Sequence, residues 1–251
     1  PMQRYFIDEA DFLNSSVLIK KDDRHHIANV MRMKPGDELI VCHPNGNSYL
    51  AEISDIDQEA VRANLLEEMG EDPELPVNVT IAQGLPKGDK LEWIAQKGTE
   101  IGMHALIPVQ MERSIVQWDH KKATKKIARL QKITKEASEQ SHRTVIPEVL
   151  SVTTLEQLLQ NAVFDHYLIA SELEAKKDEH SSTFKQVLAK IKKNDKVLVL
   201  IGPEGGFSDK ELALVETHAF TPIRLGKRIL RTETAPVYVL SAMSFYFEEW
   251  S

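Results

Sequence analysis

Short aliphatic segments alternate with amphipathic segments of helical period from Val77 onward, and this alternation constrains the fold more than any other feature. The first pair is the aliphatic segment Val77–Ala82 and the segment Asp89–Gly102, whose apolar residues recur every three or four positions. Further predicted strands are Ala105–Val109, Tyr167–Ala170, Lys196–Ile201 and Pro222–Leu225, and further predicted helices are Lys122–Ser141, one that begins at Ser208, and Ala235–Phe247. Strands that alternate with helices form a parallel sheet covered by helices, so the sequence predicts an α/β domain.

The first third of the chain has a different pattern. It contains three predicted strands, Asp37–Cys42, Ser48–Ile56 and Ala60–Leu66, and one predicted helix, Asp22–Met33. Asn45-Gly46 between the first two strands is a strong hairpin signal, because both residues tolerate a positive φ angle. These elements predict a small β-barrel with one helix. The acidic, proline-containing segment Glu67–Pro76 is typical of a linker, so we predict two domains, residues 1–72 and residues 73–251.

The charge of the chain is divided unevenly between these two parts. The whole chain carries a formal net charge of −7, but residues 1–75 alone hold 7 Lys/Arg and 16 Asp/Glu, a net of −9, which leaves +2 for the rest. Residues 120–135 contain seven Lys or Arg and no acid, and four of these cations fall on one helical face. Such a face is either solvated or tracks phosphates. We predict RNA contacts by Arg24, Arg32, Lys34, Arg113, Lys125, Arg129, Lys132 and Arg143.

Composition excludes several classes of protein. The single cysteine, Cys42, cannot form an internal disulfide or a zinc–thiolate cluster, and the nine histidines lack metal-ligand spacing, so we predict no metal site. The longest aliphatic run, Val197–Ile201, is far shorter than the ~20 apolar residues of a membrane helix. No apolar stretch follows Pro1, so no signal peptide is expected, and we expect a cytoplasmic protein that binds no membrane.

Two loops rich in glycine or charge follow predicted strands. The first is Gly202–Ser208, and the second is Leu225–Pro236. In open α/β sheets ligands bind at the carboxyl ends of strands, and glycine lets backbone amides approach a ligand closely. The first loop lacks the lysine of a phosphate-binding loop, which argues against a nucleotide-dependent phosphotransferase. The alternative for the first loop is a plain strand-to-helix turn, and for the second it is a solvated loop with a helix cap. A third such loop, Gln83–Asp89, has a turn with a helix cap as its alternative.

Several strings together resemble one protein family. They are Ile201–Gly206, Leu225-Gly226 and Arg228–Ala235, supported by the Gln83–Lys90 loop and by Gln96–Gly102. These strings are similar to the bacterial 16S rRNA (uracil-N3) methyltransferases, which belong to the SPOUT superfamily. The resemblance implies a PUA-like β-barrel, then an α/β domain with a deep trefoil knot. It also implies a homodimer, the cofactor S-adenosyl-L-methionine (AdoMet), and methylation of one uridine in the 16S rRNA of the small ribosomal subunit.

The resemblance also implies which residues hold the cofactor. They are Ser171, Glu172, Ile201, Gly202, Gly205, Gly206, Leu225, Gly226, Ile229, Leu230, Thr234 and Ala235. Methylation of uracil N3 requires loss of a proton and spreads negative charge onto two carbonyl oxygens, and a fixed guanidinium stabilises such charge. Arg231 is the first candidate for this catalytic role and Arg4 the second, while Glu233 could orient an arginine or accept the proton.

A protein of another class would share part of this pattern. A non-catalytic RNA-binding or ribosome-assembly protein would keep the barrel and the basic helix. It would not need the two intact loops after the strands, and their presence favours the enzyme.

Overall fold

The computed structural model describes residues 2–70, 72–161, 163–171 and 183–250. These residues form two compact units. Unit 1 comprises Pro1–Glu74 together with Ser138–Ile146, and unit 2 comprises Leu75–Ala137 and Pro147–Ser251. The division after Glu74 lies in the acidic segment, but the assignment of Ser138–Ile146 to unit 1 has no counterpart in the sequence-based division at residue 72.

Unit 1 is built on one five-stranded sheet. Its strands are β1 (Arg4–Phe6), β2 (Ser16–Lys20), β3 (Glu38–Cys42), β4 (Ser48–Ile56) and β5 (Ala60–Met69). They lie in the order β1-β3-β4-β5-β2, with β1 parallel to β3 and the other pairs antiparallel. The sheet curls into a half-barrel around a core that includes Tyr5, Leu39 and Ile53, each at most 2% exposed. The predicted hairpin is confirmed, with Gly46 at φ +94° between β3 and β4.

The predicted helix of unit 1 is shorter and less regular than the sequence suggests. Helix α1 spans Lys21–His25 and continues as a wider π-helical turn, His26–Val30. Its apolar residue Ile27 is fully buried in the core of the sheet, but Val30 and Met31 are exposed. The helical period of the sequence predicts one apolar face that contains Ile27, Val30 and Met31, and this prediction is confirmed for Ile27 and wrong for the other two residues.

Unit 2 is a parallel sheet, as predicted. Its strands are β6 (Asn78–Gly84), β7 (Ala105–Gln110), β8 (Glu148–Val149), β9 (Thr153–Thr154), β10 (His166–Ala170), β11 (Lys196–Ile201) and β12 (Thr221–Ile223). The order is β12-β10-β11-β6-β7-β8, and β9 pairs with β7. Every pair is parallel. Successive residues of β11 enter different cores, since Val197 and Val199 pack on one face and Leu198 and Leu200 on the other. Burial on both faces explains why this strand is continuously aliphatic.

Five described helices accompany the sheet of unit 2. They are α2 (Lys90–Glu100), α3 (His120–Gln140), α4 (Leu155–Asn161), α5 (Phe184–Leu188) and α6 (Asp209–Thr217). A sixth, α7 (Thr234–Ser244), ends in a π-helical turn, Phe245–Glu249. The helix predicted to begin at Ser208 starts with a capping box, because the Ser208 side chain accepts a hydrogen bond from the Glu211 amide and the Glu211 side chain accepts one from the Ser208 amide. The last three residues of α3 belong to unit 1.

Candidate active site

Three loops of unit 2 meet at the carboxyl edge of the sheet, and a buried hydrogen-bond chain joins them. The Gln83 amide, at the end of β6, donates to Thr232 Oγ1 at 2.8 Å, and Thr232 Oγ1 donates to the Gly202 carbonyl at 2.6 Å. Gln83 is fully buried and Thr232 is 9% exposed. These two bonds hold the Leu225–Pro236 loop against the Gly202–Ser208 loop.

A cavity of about 470 Å³ opens between these loops. Its walls include apolar side chains of Ile201, Phe207 and Leu230, and the Arg231 and Thr232 residues complete one side. Its volume lies within the ~300–1,000 Å³ range typical of small-molecule sites. The arrangement of mostly apolar walls with a few polar groups is also typical of such sites.

A second cavity, of about 540 Å³, also has the Ile229-Leu230 pair in its wall. It is lined by the 223–230 segment and shares Ala170, Ser171 and Ala235 with the first cavity. Gly226, at φ +78°, forms part of its wall, and a left-handed backbone there favours glycine. Ile229 lines both cavities although it is 85% exposed. A large exposed apolar side chain at the wall of a cavity is suited to cover a bound ligand.

Most of the predicted cofactor residues line these cavities. The lining ones are Ser171, Ile201, Gly202, Gly206, Leu225, Gly226, Ile229, Leu230 and Ala235. Gly205 and Thr234 do not line either cavity. Gly205 instead supports the Gly202–Ser208 loop, since its carbonyl accepts a hydrogen bond from the Arg113 guanidinium at 3.2 Å. Glu172 lies outside the described residues.

Charged side chains at the rim of the first cavity form a small network around Lys90. Lys90 Nζ lies 3.3 Å from Glu204 Oε1 and 3.9 Å from Glu233 Oε2. Burial works to raise the pKa of Glu204, but hydrogen bonds from the Lys87 amide and from Lys90 outweigh it and hold that pKa below its ordinary value. Glu204 is therefore an anion engaged with the neighbouring loop. Glu233 Oε2 is buried and makes no hydrogen bond within the described residues.

Arg231 has a fixed backbone and a free side chain. Its carbonyl accepts hydrogen bonds from the amides of Thr234 and Ala235, at 3.0 and 3.2 Å, where α7 begins. The next residue, Thr232, carries the bond to Gly202. The Arg231 side chain is exposed, lines the first cavity, and has no hydrogen bond or ion pair with any described residue. Its guanidinium is thus available to a ligand.

Two of the predicted site arginines are used for packing inside unit 1. Arg4 is 9% exposed, and its guanidinium donates to Cys42 Sγ and to the Arg143 carbonyl, each at 3.3 Å. Arg143 is 4% exposed and forms an ion pair with Glu74. A buried guanidinium with these partners is not presented to a ligand, so we carry neither the catalytic prediction for Arg4 nor the RNA-binding prediction for Arg143 further.

The other residues predicted to contact RNA differ in whether their positive charges are paired with an acid or a carbonyl. Arg129 makes a bidentate pair with Glu92, at 2.5 and 3.0 Å, and Lys132 lies 3.8 Å from Glu136. Lys125 is exposed. In unit 1, Arg24 donates to the Asp57 carbonyl, whereas Arg32 and Lys34 are exposed. The basic helix is therefore partly neutralised by acids that lie outside the 120–135 stretch.

Sequence reasoning missed three residues that shape the site. Gln83, Thr232 and Lys90 were not among its candidates, yet Gln83 and Thr232 join the loops and Lys90 links the two glutamates. A signal was available for one of them, because a glutamine at the end of an otherwise apolar strand has to find a buried polar partner.

Two classes of feature are not found in the described part of the chain. Within residues 2–70, 72–161, 163–171 and 183–250, no group of three or more His, Cys, Asp or Glu side chains is arranged to hold a metal ion. Over the same ranges, no helix combines the length and the apolar character needed to cross a bilayer.

Comparison with known proteins places this geometry in a family. Residues 73–244 match the RNA methyltransferase domain family, and residues 19–66 match the RNA methyltransferase PUA domain family. The ribosomal RNA small subunit methyltransferase E of Bacillus subtilis (strain 168) is 44% identical over 98% of both chains. That of Synechocystis sp. is 31% identical over 98% of this chain and 78% of its own.

A solved structure extends the comparison to the bound cofactor. The crystal structure of a ribosomal RNA small subunit methyltransferase E from Neisseria gonorrhoeae bound to S-adenosyl methionine superposes with a TM-score of 0.83. The two chains are 29% identical, and the match covers 98% of each. Together with the loops and cavities at the carboxyl edge of the sheet, these matches show that the chain belongs to the ribosomal RNA small subunit methyltransferase E family of AdoMet-dependent RNA methyltransferases.

Proposed function

We propose that this protein transfers a methyl group from AdoMet to N3 of one specific uridine in the 16S rRNA of the small ribosomal subunit. The observation that carries the proposal is the pair of cavities that share the Ile229-Leu230 wall, with the free Arg231 side chain on the first of them. A binding protein without catalysis would need neither the cavities nor an arginine at their edge that has an anchored backbone and a side chain without a partner among the described residues.

The residues present fit AdoMet. Ile201, Leu225 and Leu230 supply apolar surface for an adenine ring, and the backbone of the same loops supplies donors and acceptors for its edge. Glu233, whose Oε2 is buried without a hydrogen bond within the described residues, supplies negative charge near a cationic ligand. When bound, AdoMet supplies a methyl group activated by a positively charged sulfur.

Side chains of the protein have to stabilise the negative charge that develops on the uracil ring. Removal of the N3 proton leaves negative charge on the two flanking carbonyl oxygens, and Arg231 is positioned to stabilise it because its backbone is anchored at the start of α7. Glu233, two residues further, is held near Lys90 and is our candidate to orient Arg231 or to accept the proton. Arg231 and Glu233 therefore form the proposed catalytic pair.

Binding of AdoMet is tested by thermal unfolding. A ligand at 100 times its dissociation constant stabilises a protein by about 2.7 kcal/mol, which raises the melting temperature of a chain this long by roughly 5–11 °C. We expect such a shift with AdoMet and none with ATP or NAD, before and after treatment with a metal chelator. A shift with ATP and none with AdoMet would contradict the proposal.

Nucleoside mass spectrometry tests the reaction itself. Small-subunit rRNA from cells that lack the protein should contain one 3-methyluridine fewer than rRNA from cells that have it. Incubation of small-subunit particles from the deficient cells with the purified protein and AdoMet should restore that nucleoside. Restoration at a nucleobase atom other than N3 would contradict the proposed chemistry.

The C-terminal part of unit 2 supports the deep trefoil knot. After the edge strand β12, the chain returns across the sheet, so that Thr232 bonds both to Gly202 after β11 and to Gln83 at the end of β6. Threading of the chain through the Gly202–Ser208 region requires a segment that passes from the edge of the sheet to its centre and is fixed there. The 225–236 segment meets this requirement through the two hydrogen bonds of Thr232.

We also propose that unit 1 is a PUA-like, RNA-binding domain and that the domain boundary lies near residue 72.

We also propose a homodimer that uses the end of α7. Val239, Leu240 and Met243 bury one face of this helix, while Phe245 and Trp250 beyond it are 54% and 56% exposed. Apolar surface of this kind favours a partner. Sedimentation at micromolar concentration should give twice the chain mass of 28.4 kDa, and Phe245→Glu should shift the protein toward the monomer. A wild-type monomer would refute this part.

A further inference from the structure

A third cavity of unit 2 is separate from both cavities of the candidate active site. It has a volume of about 230 Å³ and lies between the Leu85–Asp89 loop, the start of α2, the loop after β7 and α3. None of its lining residues lines either of the other two cavities. Its volume is below the ~300–1,000 Å³ of sites for drug-sized ligands, so it suits a single ring system better than a whole cofactor.

The wall of this cavity contains an aromatic side chain that the proposed reaction does not use. Trp118 packs partly against the core of unit 2 and remains partly exposed toward the cavity. The contact with the core therefore holds the Trp118 ring in place. Aromatic side chains held in this manner are the usual stacking surface for an unpaired nucleic-acid base.

Charges around the cavity complement a nucleotide. Lys122 and Lys126 line it, and within the described residues neither ammonium lies within ion-pair distance of a carboxylate, although the charge of Lys126 helps to lower the pKa of Glu92. The acid beside them, Glu92, is already paired, because two hydrogen bonds from Arg129 hold it as an anion in a salt bridge and lower its pKa. Two cations therefore remain available for a phosphate next to the stacked base.

One acceptor at the cavity does not cap its own helix, although its negative charge helps to raise the pKa of the nearby Arg129. Asp89 is the first residue before α2, a position where an aspartate normally caps the helix, yet its side chain makes no capping hydrogen bond. Its carboxylate is exposed and lines the cavity. A carboxylate accepts N–H donors, and among the four RNA bases guanine alone presents two adjacent N–H donors on its Watson–Crick edge.

The cavity adjoins the active site through a single loop. The Lys87 amide donates to Glu204 Oε1 at 2.8 Å, so the Leu85–Asp89 loop contacts the Gly202–Ser208 loop. Pro86, Gly88 and Asp89 of the same loop form the wall of the third cavity. A base held there would belong to a nucleotide close to the one that reaches Arg231.

We propose that this cavity binds one unpaired base of the RNA substrate, stacked on Trp118, with guanine preferred through Asp89 and the adjoining phosphate held by Lys122 and Lys126. This inference rests on the proposed function, because it assigns the cavity to a nucleotide near the target uridine. It makes the third cavity a specificity site that selects the sequence next to the methylated position.

Tryptophan fluorescence tests base binding without any activity measurement. The chain has three tryptophans, and the Trp93→Phe/Trp250→Phe variant leaves Trp118 as the only emitter. We expect GMP to quench Trp118 emission at lower concentration than AMP, CMP or UMP, and Asp89→Asn to remove that preference. Equal quenching by all four nucleotides, unchanged by Asp89→Asn, would overturn the guanine assignment. The absence of quenching by any of them would overturn the site.

RNA binding by matched variants tests the same site in the substrate complex. Trp118→Leu should weaken binding of a small-subunit RNA fragment about 5- to 100-fold, as is typical when one stacking aromatic is removed, and Trp118→Phe should restore most of it. Lys122→Ala/Lys126→Ala should lower the slope of log affinity against log salt by about one per lost phosphate contact. Trp93→Leu and Lys210→Ala are the controls, and the AdoMet-induced melting shift should be unchanged throughout.

The failure of this inference can be told apart from failure of the proposed function. A wild-type protein that methylates small-subunit rRNA while Trp118→Leu and Trp118→Phe both bind RNA with wild-type affinity overturns the base site only. A wild-type protein that transfers no methyl group to small-subunit rRNA overturns the proposed function. If Trp118→Leu loses its cooperative melting transition, Asp89→Asn in the Trp93→Phe/Trp250→Phe background still decides through the fluorescence titration.

Discussion

Arg231→Ala should lower the rate of methyl transfer by about 10²–10³-fold, the cost typical of removing one group that stabilises a developing oxyanion. The loss should appear in single-turnover rates at saturating AdoMet, because the guanidinium acts on charge that develops only as the N3 proton leaves. The affinity for AdoMet, measured by calorimetry, should change little, since the apolar walls and loop backbones that would hold the cofactor do not depend on the Arg231 side chain.

Two further variants sharpen this test. Arg231→Lys keeps a charge but loses the planar fork, so it should recover only part of the rate. Lys210→Ala, in the first turn of α6, removes an exposed cation from the same unit and should leave the rate unchanged. If Arg231→Ala instead strongly weakens AdoMet binding and leaves single-turnover rates intact at saturating cofactor, the loop is a cofactor clamp. The stabilising group would then be sought at Arg113, which contacts Gly205.

The parallel sheet could be predicted because its strands are buried on both faces. Such strands are short aliphatic runs bounded by polar residues, and Lys196–Ile201 is found with the predicted bounds. Helices α2 and α3 could be predicted for a related reason. Each buries one face against the sheet, and that leaves a clear helical period in which Ile94 and Leu130 are almost fully buried.

The short elements could not be predicted from periodicity. Strands β8 and β9 have two residues each, too few for any period to be recognised. Strand β1 has three residues, and its identity comes from pairing with β3, about 36 positions away in the chain. Elements of this length exist because neighbours align them, and a single sequence contains no record of that pairing.

The assignment of the segment after α3 to unit 1 could not be predicted from the sequence either. Ser138–Ile146 belongs to unit 1, and within that unit the Arg143 side chain is tied to Glu74 by an ion pair between residues 69 positions apart. A basic residue after a basic helix looks like one more RNA contact when only the sequence is read. Its buried partner becomes visible only when the tertiary structure is known.

The loops of the candidate site could be located from sequence, but their mutual arrangement could not. Glycines and strand ends mark the Gly202–Ser208 and Leu225–Pro236 loops, and both line cavities. In the hydrogen-bond chain of the site, Gln83 and Thr232 are 149 positions apart in the sequence, and Thr232 and Gly202 are 30 positions apart. Hydrogen bonds of this range depend on the order of strands in the sheet, which the sequence pattern does not reveal.

Gly84→Ala should destabilise the protein and impair AdoMet binding together, because Gly84 is the point where strand β6 touches the Gly202–Ser208 loop. A Cβ atom at Gly84 would lie 2.5 Å from Pro203 Cδ, 2.7 Å from Pro203 N and 2.9 Å from Met111 Sδ. The methionine can move, but the proline ring and its backbone nitrogen cannot. The loop must therefore shift as a whole, and overpacking of this kind costs about 1–3 kcal/mol.

The shift would reach the ligand cavity through the hydrogen-bond chain. Pro203 follows Gly202, whose carbonyl accepts the Thr232 hydroxyl at 2.6 Å, so displacement of one loop loosens the other. We expect the melting temperature to fall by about 2–12 °C and the AdoMet-induced shift to shrink or disappear. Gly70→Ala is the matched control, since a Cβ at Gly70 meets no atom within 4 Å. A Gly84→Ala protein that melts lower yet binds AdoMet like the wild type would show that the cofactor loops do not depend on this contact.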